Sequence, residues 1–280
     1  MFDKTDYICL TVTADPERHE GLVAWLSTLE FEAFEEEEHA LKAYARKEAF
    51  DEAGVNEIMK VAGVTKANYT SNLIKARNWN AEWEAAYDAV EIDDFCQIVP
   101  SFHHAKDGFT HTIHLDPKMS FGTGHHETTR LMVRQMKGMD IAGKKVLDMG
   151  CGTAVLGILA LKMGAQDVLG IDIDAWSAEN GLENAQRNDV SMPIKLGDVS
   201  AIPENVRYDL ILANINRNVL LQDVEAYAKT LKPGGRILAS GFLEKDHDLI
   251  ATTFKQEGLH PGQLIQEGNW LSLYFDKAIA

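Results

Sequence analysis

Val146-Leu147-Asp148-Met149-Gly150-Cys151-Gly152-Thr153 is a short apolar run that ends in a glycine turn. The run has the composition and length of a buried strand. Glycine is needed where the backbone must reach positive φ or let a ligand touch the main chain. Thr153 to Met163 reads as a helix, and the free N–H groups of its first turn point back at whatever the turn holds. A dinucleotide, a methyl donor or a plain tight bend could each use such a turn. A nicotinamide site wants Gly-x-Gly-x-x-Gly, and the third position counted from Gly150 is Val155, so that spacing fails. Asp148, two residues before the first glycine, suits a cationic ligand end. A methyl donor carrying an ammonium and a sulfonium fits it and a pyrophosphate does not, because a buried unpaired charge costs several kcal/mol.

Downstream, apolar runs at Val168–Asp172, Ile194–Leu196, Tyr208–Ala213 and Arg236–Ser240 alternate with helical segments. That pattern predicts a parallel sheet covered on both faces, and Trp270–Phe275 adds one more strand near the end. Asp172 follows Gly150 by 22 residues, the separation at which an acidic side chain accepts hydrogen bonds from both ribose hydroxyls. Asp174 reads instead as a helix cap. Gly197-Asp198 is divided between a contact to the adenine amino group and an ordinary turn. Asn214 closes the fourth strand, where a side chain faces the ligand crevice; its amide oxygen can accept from an amine and orient it. Asn216 fits a capping role better.

Residues 1–75 read as a separate β-α-β-β-α-β unit, the split ferredoxin-like order. Ile8, Leu10 and Val12 alternate with polar neighbours, and Leu22, Trp25, Leu26 and Leu29 make a helical stripe. Asp15-Pro16 offers an N-cap followed by proline at the first helical position. The unit holds 8 Lys and Arg against 15 Asp and Glu, and Glu35–Glu38 reads mainly as a solvated loop, with a surface for a basic protein as its functional alternative. Residues 76–95, with Trp79 and Trp83 four apart, read as a linker helix, and residues 96–116 as strands.

The chain of 280 residues has a formal net charge of −16, a field that repels phosphates at long range and favours encounter with a basic protein. No direct nucleic-acid partner is expected. Three scattered cysteines, with no Cys-x-x-Cys pair, indicate neither a disulfide framework nor a zinc site and suit a reducing cytoplasm. No window approaches a membrane span, and no signal segment is read at the N-terminus. Six of the ten histidines lie between 103 and 126. His111 and His114 fall on opposite faces of a strand, so no metal site is expected, and His126 reads as a loop-holding hydrogen bond.

The block Leu115-Asp116-Pro117-Lys118-Met119-Ser120-Phe121-Gly122-Thr123-Gly124-His125-His126-Glu127-Thr128-Thr129, with Ala213-Asn214-Ile215 and Leu231-Lys232-Pro233-Gly234-Gly235, resembles the methyltransferases of ribosomal protein L11. The resemblance covers residues 75–280 through motifs, with Trp79 and Trp83 matched as well, and 1–74 through architecture. It implies an α/β class I methyltransferase: a Rossmann-like, mostly parallel sheet with an antiparallel C-terminal strand, over residues 96–280. It also implies that residues 1–75 recognise the substrate and that 76–95 link the two. The implied cofactor is S-adenosyl-L-methionine, and the implied reaction is transfer of methyl to α-amino and lysine ε-amino groups of that ribosomal protein, by a chain expected to act as a monomer. Matching positions give Thr129, Gly150, Asp172 and Asn214 as cofactor contacts, with Gly152 and Asp148 from the turn, and Phe121 and Thr123 helping to close the site. Two positions depart from the family pattern: Ala154 stands where a glycine is usual, and Glu127 where a proline is. A methyltransferase of a nucleic acid or small molecule, or a non-catalytic ribosome-assembly factor, are the competing readings. Asn214-Ile215-Asn216-Arg217 lacks the Asn-Pro-Pro-aromatic sequence of amino-adenine enzymes, where an aromatic stacks on the base.

Overall fold

The computed structural model describes residues 6–75, 87–116, 118 and 120–279. Trp79, Trp83 and the first part of the expected linker helix lie outside the described residues. The chain divides into two compact units, the second starting at Tyr87.

The first unit runs β1 (Tyr7–Thr13), α1 (His19–Leu26), β2 (Phe31–Glu37), β3 (Ala40–Arg46), α2 (Glu52–Val61) and β4 (Tyr69–Ile74). Its antiparallel sheet has the order β2-β3-β1-β4, as the split pattern requires. Leu10 and Val12 of β1, Leu41 and Ala43 of β3, Leu22 and Leu26 of α1, and Val55 and Met59 of α2 close the core. Asp15 precedes a 3-10 turn at Pro16–Arg18 but makes no side-chain cap bond, so proline alone starts that turn. The glutamate run is not the loop expected of it. Strand β2 continues through Glu37, and Glu32, Glu35 and Glu37 bond to Arg46, Tyr44 and Lys42 across the strand pair. Such pairs stabilise a sheet, and charge on an edge strand discourages further strands from adding.

The second unit opens with a small sheet of β5 (Val90–Ile92), β6 (Cys96–Pro100) and β7 (His111–Leu115). Here the linker-helix reading of 76–95 fails over 90–92. Val90 and Ile92 are buried and Glu91 is exposed between them, a period of two that a three-residue run is too short to reveal in sequence. Then follow α3 (Glu127–Lys137), β8 (Lys145–Met149), α4 (Val155–Lys162), β9 (Asp167–Asp172), α5 (Ala175–Arg187), β10 (Ile194–Leu196), β11 (Tyr208–Asn214), α6 (Arg217–Thr230), β12 (Leu231–Leu243), α7 (His247–Gln256), β13 (Leu259–Glu267) and β14 (Trp270–Lys277). The seven strands order as β10-β9-β8-β11-β12-β14-β13. Strands β8 to β12 pair in parallel and β14 is antiparallel to both its neighbours.

Both faces of the sheet are covered, which is why its central strands read as unbroken apolar runs. One face packs Met132, Val133, Ile158 and Leu159 against Val146 and Leu212, and the other packs Leu220, Val224, Ile250 and Phe254 against Leu147 and Ile211. Strand β8 has β9 on one side and β11 on the other, so chain order reverses there. A crevice opens outside the carboxyl ends of the strands at such a point.

Candidate active site

The glycine turn sits at that reversal. Gly150 and Gly152 have φ of +63° and +54°. A Cβ on Gly150 would lie 2.3 Å from Cγ2 of Ile215, and one on Gly152 would lie 2.3 Å from the carbonyl oxygen of Phe121. Three segments therefore touch through glycine: the turn, the Phe121 loop and the end of β11. Thr153 N–H donates to the Phe121 carbonyl at 2.9 Å and Thr153 Oγ1 to the Gly122 carbonyl at 2.8 Å. Ala154, the residue that departs from the family pattern, is fully buried with φ of +63°. A residue with a Cβ costs ~1–2 kcal/mol in that conformation, which explains why glycine is the usual occupant.

A cavity of about 630 Å³ opens over these segments, and Gly150, Gly152, Phe121, Asp172 and Asn214 line it. Asp172 accepts from Gly152 N–H at 2.8 Å and from Asp174 N–H at 3.0 Å. A carboxylate has about four acceptor sites, so two remain for ligand hydroxyls. Asn214 donates from Nδ2 to Thr129 Oγ1 at 3.3 Å, while its Oδ1 is buried and finds no hydrogen-bond partner among the described residues. Thr129, fully buried on α3, lies behind Asn214 and not on the cavity wall. Thr123 is also off the wall; its hydroxyl meets His125 Nδ1 at 3.1 Å.

Two of the capping readings hold. Asp174 accepts from Trp176 and Ser177 N–H at the start of α5, and Asn216 from Asn218 and Val219 N–H at the start of α6. Asp198 accepts from Ser200 N–H and Oγ–H while lining the cavity, and those bonds lower its pKa. His126 caps α3: its Nδ1 accepts from Thr128 N–H at 3.2 Å, which leaves the proton of the neutral ring on Nε2.

Asp148 is where the charge argument from sequence meets a correction. The side chain is 1% exposed, faces away from the cavity wall and accepts from Gly157 N–H of α4 at 2.9 Å. It ties the strand to the helix across the turn. Burial pushes its pKa up to about 7, against the pull of the Gly157 bond and with help from the charge of Asp172. An acid whose folded pKa exceeds its unfolded value of ~3.9 contributes stability that is complete below that value and fades as pH rises through 7. Asp148→Asn keeps an acceptor for Gly157 and removes the titration. The substituted chain is expected to melt at least ~3 °C above the unsubstituted one at pH 8, and the gap should shrink to less than half of that by pH 5 and close only below pH ~4. Calorimetry at the two pH values checks this; a gap that does not depend on pH contradicts it.

Some wall residues had no signal in the sequence. Trp270 opens β14, and its ring meets His126 edge-on at 4.7 Å; His126 in turn meets Phe121 at 5.3 Å. These three side chains make one wall, with Phe121 52% exposed. Trp270 lies over fifty residues from Asn214 in the chain, and only the pairing of β12 with β14 brings it there. Asp223 and Tyr227 line the cavity from α6. Their spacing of four marks a helix face and does not say what the face looks onto.

Residues 8–278 match the family described as Ribosomal protein L11 methyltransferase (PrmA). A relative of that name from Porphyromonas gingivalis is 39% identical over 91% of this chain and 89% of its own length. Another from Phocaeicola vulgatus is 36% identical over 96% and 98%. The crystal structure of a ribosomal protein L11 methylase from Lactobacillus delbrueckii subsp. bulgaricus superposes with a TM-score of 0.64 at 26% identity, covering 69% of this chain and all of that one. The cofactor of this fold and family is S-adenosyl-L-methionine, and the residues present fit it. The glycine turn admits a ligand against the main chain, Asp172 has acceptor sites to spare, and Asn214 Oδ1 lacks a donor among the described residues. The chain is a class I S-adenosylmethionine-dependent methyltransferase and belongs to the ribosomal protein L11 methyltransferase (PrmA) family.

Proposed function

We propose that the chain methylates amino groups, both α-amino and lysine ε-amino, of ribosomal protein L11. The observation that carries this reading is Asn214, half-buried on the wall of the cavity at the carboxyl end of β11 with its amide held by Thr129. An acceptor so placed takes one N–H of an amine and aims the nitrogen lone pair. S-adenosylmethionine supplies the activated methyl group. Gly150 and Gly152 would receive its methionine end along the main chain and Asp172 its ribose hydroxyls, with Phe121 excluding water above.

The amine must be neutral to react. At pH 7 that costs about 4.6 kcal/mol for a lysine of pKa ~10.4 and about 1 for an α-amine near ~7.8. His126 is not arranged to take the proton: its Nδ1 is occupied by Thr128 N–H, and Nε2 of the neutral ring already carries one. Alignment by Asn214 therefore supplies the rate enhancement, with desolvation lowering the amine's pKa. The net charge of −16 favours a basic protein as substrate. Residues 1–75 are the substrate-recognition unit in this reading, 96–280 the catalytic one, and the chain acts as a cytoplasmic monomer. Among the described residues no helix is long and apolar enough to cross a membrane. Incubation of the purified chain with methyl-labelled cofactor and either ribosomal protein L11 or ribosomal RNA tests the reading. Label is expected in the protein; label in the RNA, or cofactor bound without transfer, overturns it.

A further inference from the structure

Beyond Asp172 the cavity continues between Asp198 and Val199, after β10, and Val219, Asp223 and Tyr227 of α6. Asp223 and Tyr227 share a helix face, and the Tyr227 hydroxyl donates to Asp223 Oδ2 at 3.2 Å. Asp223 is 7% exposed, and among the described residues no donor is paired with its Oδ1. Burial raises its pKa; the Tyr227 bond opposes the rise, the charge of nearby Asp198 adds to it, and no cation contributes. A carboxyl group in this position has lost most of its water and gained one phenol. It is short of donors, and that deficit costs free energy until something fills it. Asp198 is in the opposite condition, since its Oδ1 already accepts from Ser200 N–H and Oγ–H.

S-adenosylmethionine brings a donor of the right kind. With the methionine end on the glycine turn and the ribose on Asp172, the base extends away from the turn, into the part of the cavity between the β10 turn and α6. Its exocyclic amine is neutral and offers two N–H groups. We propose that Asp223 accepts a hydrogen bond from the adenine exocyclic amine and so selects adenine over a base without a donor at that position. The proposal rests on Asp172 as the ribose contact. Tyr227 holds the carboxyl group in place by occupying Oδ2, leaving Oδ1 for the base.

The test is calorimetric binding of two ligands: S-adenosylhomocysteine, and its 6-deamino analogue with hydrogen in place of the amine. A hydrogen bond to a charged acceptor predicts that the unsubstituted chain binds the first at least ~10-fold tighter. In Asp223→Leu the two should bind within about threefold of each other, with the analogue's affinity unchanged as the sign of an intact site. Should that variant not fold, Asp223→Asn keeps the shape with a weaker, neutral acceptor, and the preference should fall by about threefold or more. Asp198→Asn should preserve the preference. Asp172→Ala should weaken both ligands together and preserve it too, which separates a failure of the ribose assignment from a failure at Asp223. The proposal is overturned if the unsubstituted chain does not distinguish the ligands, if both Asp223 variants keep the full preference, or if the preference collapses in Asp198→Asn instead.

Discussion

Asn214→Ala is expected to bind cofactor nearly normally and to transfer methyl at least ~100-fold more slowly. The asparagine lies at the carboxyl end of β11, and its only described side-chain bond runs from Nδ2 to Thr129 Oγ1. Removing the side chain costs the cofactor at most one neutral hydrogen bond, so the affinity for S-adenosylhomocysteine should fall less than about tenfold. It removes the one acceptor that aims the amine, and misplacement by an ångström costs on the order of 100-fold in rate. Asn214→Asp separates orientation from charge. The carboxylate still accepts, but it also stabilises the protonated amine, so its rate should be intermediate and should recover as pH rises. Thr129→Val frees the amide to rotate and should slow transfer by about tenfold with little change in thermal stability. Single-turnover rates beside calorimetric affinities check all three. A full rate in Asn214→Ala with cofactor bound removes the orienting role.

Asp172→Ala should weaken cofactor binding severely while leaving it measurable at high ligand concentration. Two ribose hydroxyls on one carboxylate contribute about 1.5–3 kcal/mol each, so the affinity should fall by roughly 100-fold or more. A second loss compounds it. Asp172 accepts from Gly152 N–H and Asp174 N–H, so the glycine turn and the approach to α5 lose a common anchor. Asp172→Asn distinguishes the two effects, because its amide keeps the shape and one acceptor while presenting a donor to a backbone N–H or a hydroxyl. It should bind at least ~10-fold more weakly than the unsubstituted chain yet better than the alanine variant. Equal affinity in all three would show that the ribose is held elsewhere.

The architecture was largely legible because its strands are long or doubly buried. Val146–Met149 and Leu210–Ala213 are buried on both faces, and a covered parallel sheet asks for that. Strand β13 gives no such signal: it carries Pro261 and Gly262 and is mostly exposed at the sheet edge, where proline is tolerated and apolar alternation is not required. Strand β5 was too short to show a period. Asp172 and Asn214, read from strand ends, do line the cavity, because position along the strand fixes direction. Asp148 misled because a carboxylate two residues before a glycine turn points to a cation only if it faces the ligand. The pleat turns it instead toward α4, onto Gly157, with the alternation of faces that any strand imposes. Trp270, Asp223 and Tyr227 depend on which helix and strand pack beside the crevice, and their own neighbours in sequence carry no trace of it. Ala154 reads as a departure from a motif, and the structure supplies the cost, a buried left-handed residue with a side chain.

In the proposed reaction Asn214, Asp172 and the glycine turn serve methyl transfer to amines of one ribosomal protein. Mass spectrometry of ribosomal protein L11 from cells with and without this chain tests it most directly. The account predicts that L11 from cells containing the chain is heavier by whole methyl groups placed on its α-amine and lysines, and that cells carrying only the Asn214→Ala form yield L11 of the unmodified mass. Identical L11 masses from cells with and without the chain would contradict it.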